Sequence, residues 1–177
     1  HKLYYHKLGA LQKEDKIIFG SSDERFRYVY HDVSEDGSFL LITGSEYTSG
    51  NKLFIKDLRD DNSHILTIID DFSSDTYLLH NEGEQLYFLT NRNAPNQKVI
   101  LVSFKNLNEK YWTDIIPENE NVLSPTFGGG YFFANYMIDA VSRVYQFDLK
   151  GNQIGEILLP GIGSSNGFIA KKFDKDI

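Results

Sequence analysis

Apolar and polar residues fall in short blocks along this chain, and residues 81–104 (NEGEQLYFLTNRNAPNQKVILVSF) show the arrangement most plainly. An Asn-Glu-Gly turn runs into Leu86-Tyr87-Phe88-Leu89. The run breaks across Thr90-Asn91-Arg92-Asn93-Ala94-Pro95-Asn96 and resumes as Val99-Ile100-Leu101-Val102. Two runs rich in aromatic and β-branched residues, parted by Asn and Pro, predict two paired strands. Pro95 has no N–H for a strand ladder, which assigns it to the connection. The plan occurs upstream as Glu35-Asp36-Gly37, Phe39-Leu40-Leu41-Ile42 and Leu53-Phe54-Ile55-Lys56-Asp57-Leu58. It occurs downstream as Gly128-Gly129-Gly130, Tyr131-Phe132-Phe133-Ala134 and Val144-Tyr145-Gln146-Phe147-Asp148-Leu149. A recurrence of roughly 45 residues is the length of a four-stranded propeller blade.

The remaining chain continues in the same manner. Strands are predicted over residues 3–8, 17–19, 65–69, 76–80, 112–117, 122–127 and 154–159, with one more starting at Phe168-Ile169-Ala170. Residues 25–33 (RFRYVYHDV) put Phe26, Tyr28 and Tyr30 on one face and Arg27, Val29 and His31 on the other, a period of two that predicts one face on the core. Ser34-Glu35-Asp36-Gly37 is a tight turn in which Gly37 takes a positive φ. No stretch has a sustained 3.6 period, so helix content should be low. A series of about 14 or 15 short strands suits an all-β array holding three to four blades.

The composition agrees with this picture. The chain has 177 residues, enough for one domain with a real core, and 41% are hydrophobic. Phe (13) and Tyr (11) outnumber Met (1) and Trp (1), which favours strands. A net charge of −7 without a basic stripe argues against nucleic acid or an anionic membrane as partner. No apolar run is long enough for a membrane-spanning helix. The absence of cysteine removes disulfides and thiolate metal sites. The opening residues, HKLYYHKLG, look like a strand and not like a signal peptide, and both ends are expected to continue into a longer chain.

Candidate chemistry is sparse. Gly163-Ser164-Ser165-Asn166-Gly167 fits the serine-hydrolase elbow G-x-S-x-G, but that elbow needs a later acid and histidine, and the last histidine is His80. A turn is the better reading. His1, His6, His31, His64 and His80 lack metal-ligand spacing, and Asp60-Asp61-Asn62-Ser63 and Asp70-Asp71 lack the glycine and terminal Glu of a calcium loop. Gly128-Gly129-Gly130 precedes no helix and no Lys-Ser/Thr pair, so it is a turn and not a phosphate cradle. No metal or cofactor is called for. Arg92 is the polar residue singled out: it stands in a loop between two strands, and a guanidinium suits a carboxylate or a carbonyl. On loop composition alone a solvated arginine remains the favoured alternative.

Several stretches together resemble the prolyl oligopeptidase family. They are Tyr4-Tyr5-His6-Lys7-Leu8-Gly9, Val33-Ser34-Glu35-Asp36-Gly37 with Leu40-Leu41-Ile42, Asn81-Glu82-Gly83, the loop from Thr90 through Asn96, residues 112–118 (WTDIIPE), Phe133-Ala134-Asn135-Tyr136, Arg143-Val144-Tyr145 and Leu159-Pro160-Gly161-Ile162-Gly163. They follow family order over nearly the whole chain. The related oligopeptidase B group shares the plan, but the TNRNAPN loop is closer to the prolyl enzymes. The resemblance implies a serine peptidase that cuts short peptides after proline, with a seven-bladed β-propeller covering an α/β-hydrolase domain. These 177 residues would be the middle of that propeller, and every triad member would lie outside them. The resemblance also turns Arg92 toward the substrate cavity and places Ala94 near the same surface.

The expectation is therefore all-β: a partial propeller of about four blades of four-stranded antiparallel sheets, residues 1–177 forming one domain. Its implied partners are the hydrolase domain of the same polypeptide and short proline-containing peptides, in the cytoplasm or periplasm. Alone it should be inactive and should self-associate through apolar blade faces. The alternatives are a non-enzymatic peptide- or protein-binding module and an aminopeptidase using the same lid.

Overall fold

The computed structural model describes residues 1–20 and 25–175. Asp176 and Ile177 of the expected continuing tail lie outside the described residues. Fourteen strands and two short 3-10 turns make up the regular structure of the described chain, which divides into two compact units, His1–Asp75 and Thr76–Ile177.

In the first unit, β1 (Leu3–Tyr5) and β2 (Lys16–Phe19) form a two-stranded antiparallel sheet. Next comes a four-stranded sheet of β3 (Tyr28–Val33), β4 (Phe39–Ser45), β5 (Lys52–Asp57) and β6 (Leu66–Ile69), arranged in chain order. Each strand pairs antiparallel with the next. This is one complete blade. The turn from β3 to β4 is built as its residues predict. Ser34 is buried, its Oγ donates to Asp36 Oδ1 at 2.8 Å and accepts from the Phe39 N–H at 2.9 Å, and Gly37 sits at φ 73°.

Strand β4 is covered on both faces, with Phe39 and Ile42 fully buried and Leu41 nearly so. A strand with two covered faces needs consecutive apolar residues, which explains the unbroken run FLLI. The edge strand β3 behaves differently. One face meets the core as expected, and it is the face of Val29: half-buried Val29 packs against the cluster of Phe19, Leu40, Ile42 and Phe54, while Tyr28 and Tyr30 are exposed. Phe26 reaches the same cluster from just before the strand, its ring 5.8 Å from Phe19 and 5.9 Å from Phe54. The face that is buried is the one turned toward Phe19 and Phe54, so the packing partner and not the alternation decides it.

The second unit holds two blades. The first comprises β7 (Thr76–Glu82), β8 (Gln85–Thr90), β9 (Lys98–Ser103) and β10 (Thr113–Ile116). The second comprises β11 (Leu123–Gly128), β12 (Tyr131–Ile138), β13 (Val141–Phe147) and β14 (Gln153–Ile157). Both sheets keep chain order. A shared core lies between them. Tyr87, Val99, Ile115 and Ile116 from one sheet meet Leu123, Phe127, Phe132, Ala134 and Tyr136 from the other. Fully burying a side chain such as Phe132 stabilises by roughly 1.5–3 kcal/mol. Burial also raises the Tyr87 and Tyr136 phenols above the usual tyrosine range.

The strand expected at Phe168-Ile169-Ala170 does not form. That segment is irregular, although the Ala170 N–H donates to Phe127 O at 3.3 Å, the Gly129 N–H donates to Lys171 O at 3.1 Å, and Phe168 stacks on Phe133 at 5.3 Å. Three four-stranded sheets and one two-stranded sheet thus stand where about four blades were expected.

Candidate functional site

The loop between β8 and β9 is tightly held. Thr90 closes β8, and its hydroxyl lies 2.7 Å from that of Thr76, both buried. The same Thr90 oxygen accepts from the Arg92 N–H at 3.1 Å. Two consecutive turns follow, with Ala94 N–H donating to Asn91 O (3.1 Å) and Gln97 N–H to Ala94 O (2.8 Å). Pro95 fills the second position of the latter turn, where its fixed φ belongs. Asn93 (φ 51°) and Gln97 (φ 70°) adopt left-handed backbone, easily borne by Asn and less so by Gln. Such conformations persist only where surrounding contacts hold them.

Those contacts come from the connection between β10 and β11. Asn96 N–H donates to the Glu118 carboxylate, Asn96 Nδ2 donates to Asn119 O at 2.9 Å, and Asn96 O accepts from Leu123 N–H at 2.8 Å. The loop is fastened across the sheet and presents a fixed surface.

Arg92 is one-fifth exposed, and its Nε lies 3.0 Å from Oε2 of Glu109, in the 3-10 turn Glu109–Tyr111. Beyond the loop, Lys98 pairs with Asp114 at 2.9 Å. Ala94, expected beside Arg92 on the same surface, is buried at 1% exposure and serves as the packed floor of the loop. The chemistry available at this surface is a guanidinium restrained by the Glu109 carboxylate and suited to a carbonyl or a carboxylate group. Glu109, Thr76 and Glu118 escape sequence reasoning because they lie in other connections and strands, and only folding brings them to the loop.

The remaining sequence candidates separate. Ser165 sits in an irregular stretch beyond the end of β14, and among the described residues no helix follows it. Its N–H donates to Ser142 Oγ at 2.9 Å and its carbonyl accepts from Asn135 Nδ2 at 2.7 Å, so the segment is docked on the β12–β13 hairpin as a turn. Asp60 and Asp71 accept from the N–H groups of Asn62 and Ser73, both at 2.9 Å, as turn residues do. Among the described residues no group of three or more His, Asp or Glu side chains converges as a metal site would require. Among them, too, no helix is long and apolar enough to cross a membrane.

Successive four-stranded antiparallel blades joined by short loops define a segment of β-propeller. The chain belongs to the prolyl oligopeptidase family: the family's N-terminal β-propeller domain matches residues 1–177. It is 38% identical over 177 residues to the prolyl endopeptidase of Elizabethkingia miricola, covering 100% of this chain and 25% of that protein. It is 29% identical to prolyl oligopeptidase A of Galerina marginata, over 93% of this chain and 23% of that protein. A solved prolyl endopeptidase superposes with a TM-score of 0.84 at 30% identity, over 94% of this chain and 25% of the other. Prolyl oligopeptidase B from Galerina marginata, bound to a 35mer hydrolysis and macrocyclization substrate, superposes equally well (TM-score 0.84, 25% identity, 98% of this chain and 25% of the other). The chain thus spans about a quarter of the length of the relatives it matches.

Proposed function

We propose that this chain is the lid part of a serine peptidase that cleaves short peptides after proline. The nucleophile, its base and the orienting acid would come from an α/β-hydrolase domain elsewhere in the same polypeptide, and the propeller would cover that site and restrict substrate size. The observation that carries this reading is the family match over all 177 residues together with a span of only a quarter of the relatives. The chemistry of the chain is in keeping with it. Ser165 is a turn residue, and a serine nucleophile needs a base in hydrogen-bond reach. Within the lid, Arg92 is the residue assigned to face substrate, on a loop rigid enough to hold a guanidinium in place. Ala94 contributes from beneath, by packing that loop. Cytoplasm or periplasm is the compartment that suits a peptidase acting on short peptides.

The test is hydrolysis of a fluorogenic Gly-Pro peptide by this segment and by the full reading frame that contains it. Activity in the full product alone supports a lid that depends on a catalytic domain. Activity in the 177-residue piece would return Ser165 to consideration, and silence from both would favour a peptide-binding module.

A further inference from the structure

The Arg92 guanidinium already has a carboxylate on it. Glu109 Oε2 stands 3.0 Å from Arg92 Nε, and the Glu109 side chain is 47% exposed while that of Arg92 is 19% exposed. The two residues come from different connections. Arg92 is held by the turns of residues 91–97, and Glu109 by the 3-10 turn whose preceding Asn108 accepts from Lys110 N–H at 3.2 Å. Neither backbone has to move for the carboxylate to swing away, because an exposed glutamate side chain has several accessible rotamers. Glu109 is half-exposed and regains water when it swings away, whereas Arg92 is only 19% exposed, so its guanidinium needs the incoming carboxylate to replace the one that leaves.

We infer that Glu109 is a specificity-determining residue: its carboxylate competes with a peptide carboxylate for the Arg92 guanidinium. The inference rests on the reading that Arg92 faces substrate. A peptide bearing a free C-terminal carboxylate within reach must displace Glu109 before it gains the charge-assisted bond, and it meets that negative charge as it approaches. A peptide capped as an amide carries no charge and gains less from Arg92, so it is insensitive to the competition. Glu109 therefore flattens the preference that Arg92 would otherwise impose for free-acid peptides.

The test uses the full-length protein and two proline-containing fluorogenic peptides identical except for a C-terminal carboxylate or amide. Glu109→Gln keeps the shape and removes the charge. The expected result is a KM for the acid peptide lowered about three- to ten-fold, kcat unchanged, and the amide peptide altered less than about two-fold. Glu109→Asp should retain most of the wild-type behaviour, and Arg92→Ala combined with Glu109→Gln should abolish the gain. Equal shifts for both peptides, or none in Glu109→Gln while Arg92→Ala still weakens peptide binding, would overturn the competition alone. A loss of melting temperature in both single variants with an unchanged acid-to-amide ratio would make the pair a structural tether and overturn it too. If Arg92→Ala changes neither peptide, the substrate-facing reading of Arg92 itself fails.

Discussion

His80 lies flat on Phe127, ring centroids 3.7 Å apart and planes within 13° of parallel, joining β7 of one blade to β11 of the next. Both residues are buried, and Phe127 also meets Phe132 at 5.3 Å in an edge-on contact. The first strands of the two blades in the second unit are thereby bonded through aromatic surface and not through a shared ladder. Adjoining repeats are held by such interfaces, whose stability adds to that of each blade.

Removing that ring should be costly. Phe127→Ala empties a buried site between two sheets and is expected to destabilise by about 3–5 kcal/mol. Phe127→Leu should cost less by keeping most of the volume. Urea unfolding of the two variants measures this, and a change below about 1 kcal/mol for Phe127→Ala would show that the sheets are held elsewhere.

The Glu82 carboxylate should give stability a specific acid limb. Its pKa is held below the usual glutamate range, chiefly by the hydrogen bond from Lys172 Nζ, with the charges of Lys172 and His80 adding to the effect and partial burial opposing it. A lowered pKa in the folded state means that the contribution is fully present above the ordinary glutamate pKa. It is lost as pH falls through the lowered value. Glu82→Gln should therefore lower the melting temperature by a constant amount near neutrality, the gap to wild type closing only below the usual glutamate range. A gap that stayed constant into strong acid would assign the effect to packing.

Gly50 is a position where only glycine fits. Its φ is 80°, and a Cβ there would stand 1.9 Å from the carbonyl oxygen of Phe72. The close approach also lets Gly50 N–H donate to Asp75 Oδ1 at 2.8 Å and Asn51 N–H to Ser74 O at 2.9 Å. Gly50→Ala should destabilise by at least about 2 kcal/mol, combining left-handed strain with overpacking. Gly83→Ala is the control, since its Cβ would meet nothing within 4 Å although φ is 56°. Thermal melts should rank the two clearly, and equal losses would remove the steric part of the argument.

The 177-residue chain made alone should self-associate. Leu158, Ile162, Ile169 and Phe173 are each at least 74% exposed, and all fall after the last strand. Large apolar side chains at this density on a surface favour association. Light scattering at rising concentration should show mass above that of one chain, and replacing Ile162 and Phe173 by Ser should reduce it. A clean monomer at high concentration would contradict the expectation.

The sequence by itself determined that most of the strands exist and where they centre, but not where each ends: β1 stops at Tyr5, and β12 runs on to Ile138. Runs such as Phe39 to Ile42 and Leu86 to Leu89, stopped by Gly, Asn and Pro, are local signals, and local sterics enforce them whatever the surroundings. The blade repeat was legible for the same reason, and so was Gly37, because its positive φ is a property of one turn. Tertiary structure alone decided which face each strand buries. Tyr28 and Tyr30 alternate as a core face would, yet the face of β3 that meets Phe19 and Phe54 is that of Val29, so the tyrosines stay exposed. Phe168 to Ala170 has strand composition, but one backbone bond from Ala170 and one to the following Lys171 do not make a ladder with the β11–β12 hairpin. The candidate site divides along the same line. Arg92 and its turns can be read from residues 90–97, whereas Ala94 goes beneath the loop and Glu109 comes onto the guanidinium through contacts between separate connections. Strand and turn are set by a few adjacent residues; burial and charge pairing are set by distance in space, which the order of residues does not record.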